Sequence, residues 1–135
     1  MKYRILIVCA NYYSDISNNL LKGAKTTLKS KAKYQLINVP GVFEIPVIIA
    51  KNINKYHGFI ALGCVIKGET PHFDFISKTT INAIMNLSII HKKPIGNGIF
   101  TCLSKRQAKV RSGSFNKVGK GTEAAKAVLS VLNNF

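Results

Sequence analysis

Four apolar runs, each of strand length, alternate along this chain with longer segments of helical periodicity. The runs cover Arg4–Cys9, Tyr34–Val39, Phe59–Ile66 and Pro94–Cys102. Continuous apolar runs of this length predict strands that are buried on both faces. None of them approaches the roughly 18 apolar residues that a membrane-spanning helix needs. The pattern therefore predicts a sheet inside a globular domain.

The intervals between the runs predict helices. Apolar side chains recur at helical spacing from Ile16 to Leu28 and from Ile76 to about His91. An S-x-x-Q capping box at Ser104–Gln107 predicts a further helix that stops at Gly113. A final helix is predicted from Thr122 to Leu132.

Strands that alternate with helices predict a parallel sheet, because parallel neighbours need crossover connections. We therefore expect a single domain over residues 1–135, built as a three-layer α/β/α sandwich with a four-stranded parallel sheet flanked by helices. Ligands of such sheets bind beyond the carboxyl ends of the strands. The residues that follow each strand are therefore the candidates for a functional site.

The charge balance is strongly basic, with 20 Lys plus Arg against five Asp plus Glu and a net charge of +15. Such a surplus favours anionic partners, and it makes identical subunits repel unless apolar contacts hold them together. The cations are scattered singly, and Lys92-Lys93 is the longest run. Dedicated nucleic-acid binders cluster their cations on one stripe. Compositional bias is therefore the favoured explanation, and we predict no nucleic-acid partner, with nucleic-acid binding kept as an alternative.

The three cysteines, Cys9, Cys64 and Cys102, form neither a CxxC pair nor a zinc-ligand spacing. We expect buried, reduced thiols, a cytoplasmic location and no metal site. The apolar stretch near the N-terminus is too short for a signal peptide, and no membrane partner is expected.

The most informative motif runs from Gly63 to Asp74, where a strand leads through a glycine-containing loop into a helix. Backbone N–H groups at a helix start, with the Thr70 hydroxyl, form a site for an anion. His72 lies at this helix entrance, where the helix dipole favours its neutral, base-competent form. A purely structural alternative stands beside this one. Thr70 would cap the helix, Pro71 would occupy its first turn and His72 would have no catalytic role.

Three further features follow other strands or end a helix. Phe43-Glu44, after the tight Pro40-Gly41 turn, offers an apolar face beside a hydrogen-bond acceptor, although from the local sequence alone a plain strand-to-helix turn with Glu44 near a helix N-terminus is the favoured explanation. The Tyr12-Tyr13 pair offers an aromatic ring for stacking, or a plug that holds the loop on the sheet. Arg111, one of three arginines, is either a bidentate phosphate ligand or a cation that complements a helix dipole.

One glycine-rich segment, Gly113–Thr122, is similar to a phosphate-binding P-loop but differs from it in two respects. It has five residues between its first two glycines, and it follows a predicted helix, whereas a P-loop follows a strand. We therefore predict no nucleoside triphosphate site in this segment.

Taken in order, these motifs resemble the lumazine synthase family. The most specific parts are Pro40–Pro46, Leu62–Asp74 and Asn97–Thr101, and the resemblance covers nearly the whole chain. It implies a flavodoxin-like fold and a transferase of riboflavin biosynthesis. The family condenses 5-amino-6-(D-ribitylamino)uracil with 3,4-dihydroxy-2-butanone 4-phosphate to 6,7-dimethyl-8-ribityllumazine, releases phosphate and water, and uses no cofactor.

The resemblance also implies roles for individual residues, by position. His72 matches the family's proton-transfer residue. The residues that match the butanone phosphate site are Glu69, Thr70 and Arg111. The residues that match the aminouracil site are Tyr12, Val42, Phe43, Glu44, Cys64, Val65, Ile66 and Asn97, of which the three in the third strand contact the ring through backbone groups.

The chain departs from the family at two of these positions. Tyr12 replaces a residue that is commonly Phe, and Asn97 replaces another Phe and so removes a stacking surface. The family forms pentamers with active sites between neighbours, so the resemblance implies a homopentamer acting on small-molecule substrates. A flavin or lumazine carrier without turnover remains an alternative.

Overall fold

The computed structural model describes residues 2–69, 72–113 and 118–134. Four strands, β1 (Arg4–Ala10), β2 (Lys33–Val39), β3 (Gly58–Ile66) and β4 (Ile95–Cys102), form one parallel sheet in the order β2-β1-β3-β4. Five helices connect or follow them: α1 (Ser14–Leu28), α2 (Ile45–Lys51), α3 (Phe73–His91), α4 (Lys105–Ser112) and α5 (Lys120–Asn134). A 3₁₀ turn, Val42–Glu44, precedes α2. The predicted three-layer flavodoxin-like sandwich is confirmed.

Two apolar clusters hold the layers together, one on each face of the sheet. Ile5, Ile7 and Cys9 of β1 point toward α1 and α5. The alternate residues of the same strand, Leu6, Val8 and Ala10, point toward α2 and α3. Each strand residue therefore contributes to one of two cores, as the period of two in a strand requires.

The prediction that all four strands are buried on both faces is right for β1 and β3, wrong for β2, and only partly right for the edge strand β4, where Asn97 is exposed. All nine residues of β3 are buried except Cys64, which is half-buried. β2 is an edge strand, and its first three residues, including Tyr34, are exposed. An edge strand has a neighbour on one side only, so its apolar residues are covered less completely.

The helix predictions agree with the structure at most boundaries. Ser104 Oγ accepts a hydrogen bond from the Gln107 N–H at 3.2 Å, which caps α4, and Gly113 ends this helix with φ +117°. Helix α2 was not predicted. Its Ile45-Pro46-Val47-Ile48-Ile49 sequence has no polar face, so the sequence lacks the periodic signal of an amphipathic helix.

Helix α5 lies very close to the sheet because β4 carries glycines beneath it. A Cβ atom on Gly96 would overlap the Ala124 carbonyl oxygen and would come within 2.8 Å of Val128 Cγ2. The helix backbone cannot move away without separating Val128 and Ala125 from the core. Close backbone approach of this kind requires a residue without a side chain.

We therefore predict that Gly96→Ala lowers the free energy of unfolding by about 1–3 kcal/mol, the range for an overpacked core. Urea denaturation followed by circular dichroism measures this difference. Ser130→Ala, at an exposed position of α5, is the control and should change the free energy of unfolding by less than about 0.5 kcal/mol. Equal stability of the two variants would contradict the close packing of α5 on β4.

Candidate active site

Three strand ends converge on one cavity of about 270 Å³ at the carboxyl edge of the sheet. Ala10 closes β1, Gly41–Glu44 follow β2, and Cys64 and Val65 lie at the end of β3. Tyr12, Glu69 and Ile76 complete the lining. Because parallel strands end on the same edge, segments that are far apart in sequence meet there.

The loop after β1 is tied to its neighbours by hydrogen bonds. The Asn11 N–H donates to the Val39 carbonyl at 3.1 Å, and the Ser17 hydroxyl donates to the Ala10 carbonyl at 2.8 Å. The sequence left open whether these tyrosines offer a ring for stacking or hold the loop on the sheet, and the structure gives the two residues different positions. Tyr13 packs against the core on the α1 side, whereas Tyr12 is 69% exposed and lines the cavity. Their rings meet edge to face at 4.8 Å, which orients the Tyr12 ring.

The 3₁₀ turn after β2 forms the second wall. Val42 is buried against Gly63 of β3, where an added Cβ would come within 2.5 Å of Val42 Cγ1. With Val42 held inward, Phe43 projects outward and is 54% exposed at the cavity. The half-buried Glu44 lies back over Gly41 and brings a carboxylate to the same wall. An apolar face and a hydrogen-bond acceptor therefore stand side by side.

The end of β3 supplies the floor through Cys64 and Val65. Ile66 is 2% exposed in the core on the α1 and α5 side, and it does not line the cavity. Burial raises the pKa of the Cys64 thiol to about 12, and burial also raises the pKa of Cys102 close by. Both groups are therefore thiols at neutral pH, and Cys64 acts as a small apolar surface and not as a nucleophile.

The turn between β3 and α3 carries Glu69 to the cavity rim. Gly68 takes φ +86°, and the Glu69 N–H donates to the Ile66 carbonyl at 3.3 Å. Helix α3 begins at Phe73, and His72 precedes it in the left-handed conformation with φ 59°. The predicted capping pair, Thr70 and Pro71, lies outside the described residues.

His72 is exposed at the entrance of α3, and it does not line the cavity in the single chain. Its carbonyl accepts a hydrogen bond from the N–H of Ile76, a cavity residue one turn into the helix, at 2.9 Å. This bond fixes the backbone of His72 beside the cavity rim. A positive φ is uncommon for a non-glycine residue, so the conformation of His72 marks the point where the chain enters α3.

Arg111 and Asn97 lie elsewhere. Arg111 Nη1 donates to the Thr101 carbonyl at 2.8 Å and lies 3.7 Å from Cys102 Sγ, and it lines a separate cavity of about 560 Å³. Asn97 is exposed on the edge strand β4, and its Oδ1 accepts the Ile99 N–H at 3.0 Å. The single chain therefore brings together seven of the twelve predicted site residues: Tyr12, Val42, Phe43, Glu44, Cys64, Val65 and Glu69.

Sequence reasoning missed Lys120, which lines the second cavity with Arg111. It begins α5 and forms an ion pair with Glu123 at 3.3 Å. The glycines on either side of it were the available signal, because they marked a turn into a helix. That turn follows α4 and not a strand, as expected when a P-loop was rejected for this segment.

The parallel α/β/α sandwich and the largely apolar cavity with two carboxylates at its carboxyl edge are typical of a small α/β protein that binds a ligand at the strand ends. Comparisons with known proteins are more specific. The family model described as 6,7-dimethyl-8-ribityllumazine synthase matches residues 2–135. The chain belongs to this family, and it is therefore a transferase of riboflavin biosynthesis.

Individual relatives are similar over nearly their whole length. The 6,7-dimethyl-8-ribityllumazine synthase of Bartonella tribocorum is 41% identical, with 99% of this chain and 93% of the relative covered. The proteins of the same name from Agrobacterium fabrum and Bartonella henselae are 42% and 44% identical. They cover 97% of this chain, and 93% and 87% of their own lengths are matched.

The described residues contain neither a membrane-spanning helix nor a cluster of metal ligands. None of the helices there is long and apolar enough to cross a membrane. In the same part of the chain, no three His, Cys, Asp or Glu side chains converge as ligands of a metal ion would.

The raised thiol pKa gives a prediction for Cys64. A pKa of about 12 leaves far less thiolate at pH 8 than a free cysteine has, and the higher nucleophilicity of the rarer thiolate offsets only part of this loss, so iodoacetamide should alkylate Cys64 at least about 10-fold more slowly than a free cysteine. Mass spectrometry of peptides from the native protein measures this rate. The protein unfolded in guanidinium chloride is the control and should lose the protection. Alkylation of native Cys64 at the rate of the unfolded chain would contradict its assignment as an inert thiol.

Proposed function

We propose that this chain condenses 5-amino-6-(D-ribitylamino)uracil with 3,4-dihydroxy-2-butanone 4-phosphate to 6,7-dimethyl-8-ribityllumazine, with release of phosphate and water. The observation that carries the proposal is the cavity at the strand ends, where Tyr12, Phe43, Glu44 and Glu69 meet. The name of the relatives supports the product. The three free cysteines agree with a cytoplasmic enzyme.

The cavity offers the aminouracil a stacking surface and hydrogen-bond partners. The exposed Tyr12 ring can cover one face of the pyrimidine, with Phe43 and Val42 beside it. The Glu44 carboxylate can accept hydrogen bonds from ribityl hydroxyls. The end of β3, at Cys64, Val65 and Ile66, provides backbone groups for the ring edge. No thiol chemistry is assigned to Cys64, because its pKa keeps the group protonated.

The chemistry requires little covalent help from the protein. The amine of the aminouracil adds to the ketone, and loss of water gives an imine. A proton then leaves the neighbouring carbon as phosphate departs. Ring closure by the ribityl-bearing nitrogen releases a second water. Both reactants carry their own reactive groups. Binding them close together in the correct orientation therefore provides much of the rate acceleration, and proton transfer by His72 provides a further part.

The segment from Glu69 to His72 is the proposed site for the butanone phosphate. The N-terminus of α3 favours an anion, and Glu69 and Thr70 precede this helix in the sequence. We assign to His72 the uptake of the proton released next to the departing phosphate, because it directly precedes α3 and its carbonyl accepts the N–H of the cavity residue Ile76. In this proposal, His72 is the catalytic residue and Glu69 and Thr70 bind the substrate.

Two further observations support a homo-oligomer, by family resemblance a pentamer. Arg111 and Asn97 are outside the cavity of their own chain, so a neighbouring subunit is the proposed source of both groups. Helix α3 also exposes large apolar side chains that need a cover, with Phe75, Met85, Ile89 and Ile90 each 57–70% exposed. Apolar contact of this kind can overcome the repulsion between subunits of charge +15.

The role of His72 is tested by steady-state kinetics. We expect His72→Ala to lower kcat by about 10²–10⁴-fold with little change in KM, because general acid–base catalysis contributes about that factor. Lumazine formation is followed by its absorbance and fluorescence. His91→Ala, at an exposed position at the other end of α3, is the control and should keep full activity. An unchanged kcat in His72→Ala would contradict the assignment. A wild-type protein that binds lumazine without turnover would instead support a carrier.

The role of Arg111 and its origin in a neighbouring subunit are tested together. Arg111→Ala should raise the KM for the butanone phosphate by about 10-fold or more, since a charge-assisted hydrogen bond contributes about 1.5–3 kcal/mol. Lys105→Ala, at an exposed position on the same helix, is the control and should leave this KM unchanged.

A subunit-mixing experiment then tests whether Arg111 reaches each site from a neighbouring subunit. The His72→Ala and Arg111→Ala proteins are unfolded together, refolded and assayed at a butanone phosphate concentration well below the wild-type KM, where both single variants have low activity. If the site lies between subunits, about a quarter of the randomly formed sites contain both intact residues, and activity should rise to about that fraction of wild type. Activity no greater than the mean of the separate variants would contradict a shared site.

A further inference from the structure

A groove at the opposite edge of the sheet shares no residue with either cavity described above. It consists of two adjoining hollows of about 630 and 380 Å³, both lined by Ala32 and Tyr34. Arg4 and Lys33, the first residues of β1 and β2, are register partners at its base. We call it the basic groove, after its five cations. Its functional lining consists of Arg4, Lys25, Lys29, Lys33 and Lys55, with Tyr34 and Tyr56.

The charge of the basic groove is uncompensated. None of the described residues that line it is acidic. The sequence from Ile16 to Phe43 carries five lysines and no Asp or Glu. The two ion pairs within the described ranges, Lys109–Asp15 and Lys120–Glu123, involve none of the groove cations. Five positive charges on one concave surface attract an anion more strongly than the same charges scattered singly.

One cation of the groove is held in place. The Arg4 guanidinium lies 5.5 Å from the centre of the Tyr56 ring, and its Nη2 donates to the Lys55 carbonyl. The Tyr56 hydroxyl donates in turn to Gln35 Oε1 at 2.5 Å. An arginine oriented in this way loses less side-chain entropy when it binds a phosphate, and its remaining N–H groups suit bidentate contact.

The groove also holds an aromatic ring among the cations. Tyr34 is 39% exposed on the edge strand, and it belongs to both hollows. A positively charged groove with an accessible aromatic ring is the combination that binds unpaired bases, because the cations follow the phosphates and a base stacks on the ring. The geometry points to single-stranded nucleic acid as the ligand of the basic groove.

Other polyanions fit the groove less completely. Inorganic polyphosphate would satisfy the cations but has no ring for Tyr34. An acidic membrane surface would require apolar side chains that insert beside the cations, and the lining offers Ala32 and the tyrosines only. Sequence analysis predicted no nucleic-acid partner from cations that are scattered along the chain. The fold nevertheless places five of them, from four separate segments, around one hollow surface.

Fluorescence anisotropy tests the proposal on the assembled wild-type protein, with fluorescein-labelled oligothymidylate and oligouridylate of about twenty nucleotides as probes. Five phosphate contacts predict a slope of about −3.5 in log K against log salt, which is an affinity loss of about 100-fold between about 50 and 200 mM salt. Absence of binding at the lower salt concentration would overturn the proposal.

Two double variants of equal charge distinguish binding in the basic groove from attraction by the net charge of the protein. Lys33→Gln with Lys55→Gln should flatten the salt slope by about 1.4, since two phosphate contacts are lost. Lys92→Gln with Lys126→Gln is the control, because it removes the same charge at exposed positions away from the groove. Equal loss of affinity in the two double variants would show attraction by net charge alone and would overturn the proposal.

Substitutions of Tyr34 distinguish nucleic acid from other anions as the ligand of the basic groove. Tyr34→Ala should weaken oligonucleotide binding by about 5-fold or more, and Tyr34→Phe should retain it, because stacking needs only the ring. Competition by inorganic polyphosphate, or binding to vesicles of phosphatidylserine, should be unaffected by Tyr34→Ala. An oligonucleotide affinity that is equally unaffected by this substitution would overturn the identification of the ligand. All of these variants should retain lumazine formation, so the outcome is independent of the proposed function.

Discussion

The parallel pairing of β1 with β2 on one side and β3 on the other is the constraint on which the site depends. Ala10 is in register with Val39, so β1 and β2 end level, and Cys9 is in register with Leu62, so β3 continues beyond them to Ile66. Residues far apart in sequence, such as Tyr12, Glu44 and Glu69, are brought to one cavity only because of this register. β1 and β3 are buried on both faces, and a slip of register would exchange the residues of the two cores. The position of the cavity is therefore determined by the packing of both cores.

Much of this arrangement could be predicted from the sequence, and the exceptions have physical causes. The four strands were located within one residue at each end, because continuous apolar runs of this length are typical of a buried parallel sheet. Helix α2 was missed because Ile45–Lys51 is apolar on every side, which removes the periodicity that predicts a helix. The exposure of β2 was missed because its sequence does not indicate whether a strand has one neighbour or two.

The same distinction applies to the candidate site. Tyr12, Phe43 and Glu69 each directly follow a strand, so the fold class alone was sufficient to bring them to one edge. The locations of Arg111 and Asn97 depend on the hydrogen bond from Arg111 to the Thr101 carbonyl and on the edge position of β4. Neither feature is encoded in a local pattern. Motif spacing can group such residues by family resemblance, but it cannot say which chain supplies them.

The few acids of the chain lie toward one end of the sheet, and their scarcity leaves the other end without a carboxylate side chain. Asp15, Glu44, Asp74 and Glu123 lie in first turns of helices, and Glu69 lies in the turn after β3. A carboxylate is stabilised at a helix N-terminus, and in an alternating α/β fold the helices begin at the carboxyl edge of the sheet.

With only five acids in the chain, this placement leaves none for the amino edge. The lysines there cannot be neutralised within the subunit, and Lys25, in the last turn of α1, is at a position that favours a cation. The basic groove thus follows from the placement of the acids as much as from the number of lysines. A compositional bias that is uniform along the sequence becomes a polarised surface once the helix dipoles determine where the few carboxylates are most stable.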